Sequence, residues 1–183
     1  SLGIHKRNLQ LMVTRRCQLR CVYCPTDKRD EDLALEPALA ALELLLQGDD
    51  DAYRLDFTGG EPLLRKDFVR ELIVRSHQRA RALGKRDRYY LVTNALELDE
   101  AFCRFLADYE VELEISMDGT ELDHNKNKRP LARGDNPYRT LVKNIAHVHG
   151  LGMRYNAVLV FTPEGLPALG DNLEHVLGLG FRN

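Results

Sequence analysis

Apolar positions recur along this chain in two periods that take turns. Leu9 to Thr14 is a short apolar run, ending at Thr14-Arg15-Arg16, and predicts a strand. Helical spacing then begins at Glu36-Pro37, with proline suited to a first turn. Leu39, Leu42, Leu45 and Leu46 form its apolar face, and Gly48 closes it. Tyr53 to Thr58 alternates as a second strand, interrupted by Gly59-Gly60-Glu61-Pro62. A second helix is expected from about Lys66 to Leu83, with Phe68, Val69, Leu72, Ile73, Ala80 and Leu83 at helical spacing and Gly84 as its stop. Tyr89 to Thr93 reads as the third strand. A third helix is N-capped by Asp99 and buries Phe102, Phe105 and Leu106. Val111 to Ser116 alternates as the fourth strand, and a long polar loop is expected from Asp118 to Asn136. A fourth helix opens at Asn136-Pro137, turns Leu141, Ile145 and Val148 inward, and stops at Gly150. Arg154 to Phe161 is the fifth strand, Pro167 to Leu177 a fifth helix, and Gly180 to Asn183 the approach to another strand. Strand then helix, five times over, predicts an α/β fold with a parallel sheet and right-handed crossovers.

The residues that interrupt this pattern gather where the strands end. Cys17, Cys21 and Cys24, with three and then two residues between them, follow the first strand. Gly59-Gly60-Glu61 follows the second, Thr93-Asn94 closes the third, Ser116-Met117-Asp118-Gly119 closes the fourth, and Asn156 lies on the fifth. Ligands of parallel α/β sheets sit outside the carboxyl ends of the strands, so all of these point to one rim. Closely spaced thiolates converge on zinc, copper(I) or an iron–sulfur cluster. Closed zinc sites and ordinary [4Fe–4S] clusters each take four ligands, so three sulfurs leave one iron open to a small molecule. A zinc knuckle, or a disulfide beside a free thiol, is the plainer alternative. Paired glycines let backbone approach closely, or merely make a tight turn. Glu61 can accept a hydrogen bond from an ammonium group. Ser116 and Asp118 suit hydroxyl and carboxylate partners, or simply stabilise a turn. Cys103, within the third helix, reads as a small buried thiol, and Asp49-Asp50-Asp51 as a solvated loop.

Composition narrows the classes. With 183 residues, 44% of them hydrophobic, the chain suits one globular domain with a real core. Charged residues make up 30% but the net charge is only -2, and no basic stripe with interleaved aromatics argues for nucleic acid. No apolar run is long enough for a membrane span, and no signal peptide is evident. Four cysteines, three of them clustered, indicate metal chemistry in a reducing, cytoplasmic setting. A start at Ser1 without methionine reads as a processed chain or an excised fragment.

The cysteine spacing, with Tyr23 just before Cys24, resembles the signature of the radical S-adenosylmethionine (SAM) enzymes, and Thr58 to Pro62 resembles their Gly-Gly-Glu motif. The resemblance runs from about Leu9 to Phe161. It implies a partial parallel (βα)6 TIM-like barrel with about five strand–helix units present, a core domain over residues 1–183 that is incomplete at its C-terminus. It implies that Cys17, Cys21 and Cys24 hold a [4Fe–4S] cluster whose open iron chelates SAM. Gly59, Gly60 and Glu61 would lie near the SAM amino group. Thr93, Asn94, Ser116, Asp118, Asn156 and either Lys128 or Arg129 would lie near its other polar atoms. Ser116 to Gly119, with His124 and Asn127, looks like the Ser-Leu-Asp-Gly … His-Asp-Lys-Asn-Arg segment of the peptide- and protein-modifying branch, that of anaerobic sulfatase and ribosomal-peptide maturases. There the closing arginine pairs with the SAM carboxylate. Lys128 holds its place here, a point charge without the bidentate grip, and Arg129 follows. His124 is either a proton relay or a surface residue. The implied activity is reductive cleavage of SAM to methionine and a 5′-deoxyadenosyl radical, which takes hydrogen from a peptide or protein side chain. The electron would come from a donor such as flavodoxin or ferredoxin. Arg15, Arg16 and Arg20 either keep the cysteine loop electropositive or are solvated. The competing readings are a non-catalytic iron–sulfur or zinc module, and a truncated homologue that binds without turnover.

Overall fold

The computed structural model describes residues 7–181. Its strands are β1 (Asn8–Thr14), β2 (Leu19–Cys21), β3 (Ala52–Gly59), β4 (Arg86–Thr93), β5 (Glu112–Ser116), β6 (Lys128–Pro130) and β7 (Tyr155–Val158). Its α-helices are α1 (Leu35–Leu46), α2 (Lys66–Ala82), α3 (Glu100–Asp108), α4 (Glu121–Asn127), α5 (Pro137–Gly150) and α6 (Leu169–Gly178). Five strands form one parallel sheet in the order β1-β3-β4-β5-β7. Neighbours in the sheet follow one another in the chain, so right-handed crossovers put α1, α2, α3 and α5 on the same face. The result is an open, partial TIM-type barrel whose edges are β1 and β7.

Burial alternates along the strands accordingly. Val13, Leu55, Phe57, Leu91, Leu113 and Ile115 are fully buried on the helix side. They meet Leu42, Val69, Leu72, Ile73, Phe102, Leu106, Leu141, Ile145 and Val148 from the helices. Each such side chain contributes about 1.5–3 kcal/mol relative to exposure, which is why apolar period and element type agree so well here. Local signals set the helix starts. The Asp99 carboxylate accepts the Phe102 N–H at 2.8 Å, and the Asn136 side chain accepts the Arg139 N–H at 3.1 Å ahead of Pro137.

The fold departs from the sequence expectations in several places, one of them the fifth parallel strand, expected over Arg154–Phe161 and observed only over Tyr155–Val158. The expected loop Asp118–Asn136 contains α4, N-capped by Thr120, and the short strand β6. The cysteine loop contains β2, which pairs antiparallel with β6. Both strands are only three residues long, too short for a periodic signal. The last helix is delayed by a 3-10 turn over Pro163–Ala168, with Pro167 inside the turn. Leu83 lies beyond α2 and is exposed. Of the expected strand approach at Gly180–Asn183, the last two residues lie outside the described residues, and Phe181 is buried.

Candidate functional site

The cysteine loop is pinned to the rim by backbone. Beyond β3, the Gly60 N–H donates to the Thr14 carbonyl at 2.7 Å and the Glu61 N–H to the Arg16 carbonyl at 2.8 Å. The glycines are demanded by this approach. Gly59 adopts φ +140°, and a Cβ on Gly60 would stand 2.1 Å from the Arg16 oxygen. From the other side, the Arg15 N–H donates to Glu31 and the Leu33 N–H to Val13. Arg15 pairs with Glu31 at 3.1 Å and Arg16 with Asp32 at 2.6 Å, so both arginines are spent on closing the loop's base. Arg20 is exposed.

Glu61 is not an open acceptor. It is 1% exposed. Its carboxylate accepts the Leu63 N–H at 3.0 Å, the Thr93 hydroxyl at 2.7 Å and the Asn94 N–H at 2.8 Å. It therefore ties the end of β3 to the end of β4. Burial pushes its pKa up to about 7, against the pull of those three donors. Asn94 continues the chain of contacts, its amide Nδ2 donating to Gln18 Oε1 at 3.3 Å and to Cys17 Sγ at 3.8 Å.

A second set of contacts locks the second cysteine. Register places Cys21 opposite Lys128. Lys128 is 3% and Asp118 2% exposed. The lysine Nζ donates to the Tyr23 hydroxyl at 2.7 Å, and that hydroxyl donates to Asp118 Oδ2 at 2.6 Å. Lys128 and Asp118 also form an ion pair at 3.5 Å. Burial and the Asp118 charge push the Tyr23 phenol upward, so it stays a donor. Lys128 thus turns inward, whereas Arg129 is exposed with its Nε on the Lys126 carbonyl. His124 is buried, not on the surface. Its Nδ1 accepts the Asp118 N–H at 3.4 Å, and burial, with Lys128 nearby, pushes its pKa down to about 3.

Cys17, Cys21 and Cys24 are partly buried free thiols, and Cys103 is a buried core thiol. Among the described residues no three His, Cys, Asp or Glu side chains close on a single ion. The structure brings the cysteine loop together with Gly59, Gly60, Glu61, Thr93, Asn94, Asp118 and Lys128. Ser116 ends β5 opposite Val158, half-buried. Asn156 stands lower on the sheet, opposite Glu114, with its Nδ2 3.4 Å from Glu112 Oε1.

Sequence reasoning missed the wall below this rim. The strand face opposite the helices carries Arg54, Asp56, Tyr90, Glu112 and Glu114. Arg54 pairs with Asp56 at 2.6 Å and stacks 5.2 Å over the Tyr90 ring, and the Tyr90 hydroxyl donates to Glu114. The signal was available as the polar half of each alternating strand. Away from the rim, a cavity of about 500 Å³ opens at the strand starts among Arg7, Asp50, Arg54, Arg86 and Arg88. It holds none of the thiols, so the chemistry is read from the rim.

Comparison with known proteins agrees with the geometry. The Radical SAM superfamily model matches residues 11–174. An uncharacterized protein of Methanocaldococcus jannaschii is 26% identical over 178 residues, covering 97% of this chain and 60% of that protein. A GTP 3′,8-cyclase of Rhodopseudomonas palustris is 31% identical over 185 residues, covering 94% of this chain and 50% of the cyclase. The chain thus spans about half to three-fifths of the length of these curated relatives. Among solved structures, native anSMEcpe with bound AdoMet (SAM) and the Cp18Cys peptide superposes with a TM-score of 0.85 at 19% identity, covering 96% of this chain and 48% of that one. Streptococcus suis SuiB bound to SAM superposes with a TM-score of 0.69 at 18% identity, covering 95% and 38%. At such identities these likenesses speak to the fold. The family match carries the cysteine loop, the Gly-Gly-Glu turn and the carboxyl ends of all five parallel strands, and the chain belongs to the radical SAM superfamily, whose enzymes work with a [4Fe–4S] cluster and SAM.

Proposed function

We propose that residues 1–183 are a radical SAM core domain that acts on a peptide or protein side chain in a reducing, cytoplasmic setting. The observation that carries this reading is the joint pinning of the cysteine loop to the ends of β3, β4 and β6, through Gly60, Glu61, Asn94 and Lys128. The donor set fits a cluster. Its three thiols sit on one loop, partly buried, with the cations Lys28 and Lys128 close enough to act on them. In this reading Cys17, Cys21 and Cys24 hold the [4Fe–4S] cluster and SAM takes the open iron. When bound, the pair supplies one-electron cleavage of the sulfonium to methionine and a hydrogen-abstracting 5′-deoxyadenosyl radical.

The chain's own residues do the rest. Backbone at Gly59 and Gly60 offers close approach to the SAM amino group. Glu61 serves chiefly by holding Asn94 and Thr93 in position. Lys128 meets the SAM carboxylate only by sharing its Asp118 and Tyr23 contacts, whereas Arg129 is the weaker candidate. Asn156 and Ser116 face the space below the rim. A donor such as flavodoxin or ferredoxin supplies the electron.

A second reading, a nucleotide substrate, draws on the GTP 3′,8-cyclase relatives. The wall argues against it. Arg54 and Arg88 share that face with Asp56, Glu112 and Glu114, but Arg54 is paired with Asp56, and Glu112 and Glu114 meet the neutral Asn156 and Tyr90, so a triphosphate set beside those two carboxylates would be repelled. The test is the low-temperature EPR spectrum of anaerobically reconstituted, dithionite-reduced protein. A [4Fe–4S]+ signal that changes shape on adding SAM supports the reading. Zinc in place of a cluster sinks it. Turnover with GTP, read as a modified nucleotide by mass spectrometry, would replace the peptide by the nucleotide.

A further inference from the structure

A cluster held by three thiolates is an anion, and each added electron makes it more so. Holding it partly buried requires positive charge that is not already neutralised. The loop arginines do not provide it, since Arg15 and Arg16 face Glu31 and Asp32 and Arg20 points to solvent. Lys128 is neutralised in place by Asp118.

Lys28 is different. Its ammonium donates to the Leu19 backbone carbonyl, and among the described residues no carboxylate pairs with it. The N–H of the same Leu19 donates to Cys17 Sγ at 3.4 Å. One residue of β2 therefore carries the cation on its carbonyl and the sulfur on its amide. Asn94 adds a second N–H toward the same sulfur at 3.8 Å.

We propose that Lys28 is the fixed counter-charge of the cluster loop, held on the Leu19 carbonyl, and that it raises the reduction potential of the [4Fe–4S] cluster carried by Cys17, Cys21 and Cys24. A nearby cation stabilises the reduced, more negative cluster more than the oxidised one, and cluster potentials follow local charge and hydrogen bonds to sulfur. Lys28 is a positioning residue and touches no substrate. The inference rests on the proposed function above.

The test is an EPR-monitored redox titration of reconstituted wild type, Lys28→Met and Lys28→Gln, with iron and sulfide quantified in each. Glutamine keeps a donor for the Leu19 carbonyl without the charge. The expected result is a midpoint shifted negative in both variants at full iron content. An unshifted midpoint in Lys28→Gln overturns the inference. So does loss of iron in both variants, which would make Lys28 a structural brace only. If wild type itself assembles no cluster, the functional reading falls and this inference with it. A wild-type cluster with unchanged variants removes this inference alone.

Discussion

Asp118 shows how one carboxylate serves several masters. It accepts from Tyr23 and from the Val160 N–H, pairs with Lys128, and is out of reach of bulk water. Removing the lysine strands that charge, which costs about 3–5 kcal/mol in a buried pair. Removing only the tyrosine hydroxyl costs about 1–2 kcal/mol. Lys128→Met should therefore lower the urea midpoint well beyond Tyr23→Phe, and equal losses would show that Lys128 carries little of the lock. Glu61 and His124 make opposed pH predictions. The Glu61 pKa is raised to about 7 from 4.5, so the folded state binds the extra proton and stability falls as pH rises through 4.5–7. That loss amounts to roughly 3 kcal/mol at neutral pH. His124 is lowered to about 3 from 6.5, so it favours the fold above pH 6.5 and loses that contribution as pH falls. Urea midpoints measured from pH 5 to 8 should flatten on the alkaline side in Glu61→Gln. A parallel fall in variant and wild type would exclude Glu61 as the source.

Among the elements, the turn after β3 matters more than its length implies. Gly59 and Gly60 run alongside Thr14 to Arg16 as an extension of the β1–β3 pairing, and that contact sets where Cys17 begins. Gly60→Ala forces its Cβ into the Arg16 carbonyl, so the strand end and the loop must part. We expect about 2–4 kcal/mol of destabilisation and reduced iron incorporation. Gly84→Ala is the control, with φ +66° but nothing within 4 Å, and should cost about 1–2 kcal/mol with normal iron content. Equal iron content in the two variants would mean that the turn does not position the cysteines.

On the scale of the molecule, the rim gathers segments that are distant in the chain. Cys21 and Lys128 are partners in β2 and β6, and Thr14 and Gly60 meet across β1 and β3. A cluster bound on that loop adds free energy that exists only in the folded state. Anaerobic reconstitution should raise the thermal midpoint, each kcal/mol appearing as about 2–4 °C for a chain of this size. Cys21→Ala should abolish the rise without lowering the apo midpoint much, because the thiol is only partly buried. An unchanged rise in Cys21→Ala would detach the cluster from this loop.

The amino-acid sequence by itself determined the architecture. Apolar residues such as Leu55, Phe57, Val69, Leu72, Leu113 and Ile145 recur at the period of their elements, and burial follows that period because it dominates the energy of folding. The cysteine spacing and Gly-Gly-Glu were equally legible, since both are local patterns with a local chemical reason. Only the tertiary structure decided the partners. Glu61 became a clamp on Thr93 and Asn94, Lys128 rather than Arg129 turned inward, His124 was buried, and β2 found β6. These are contacts between residues tens of positions apart on short, polar elements, where no period exists to report them. Which of several nearby charges is buried depends on what the rest of the chain packs around it.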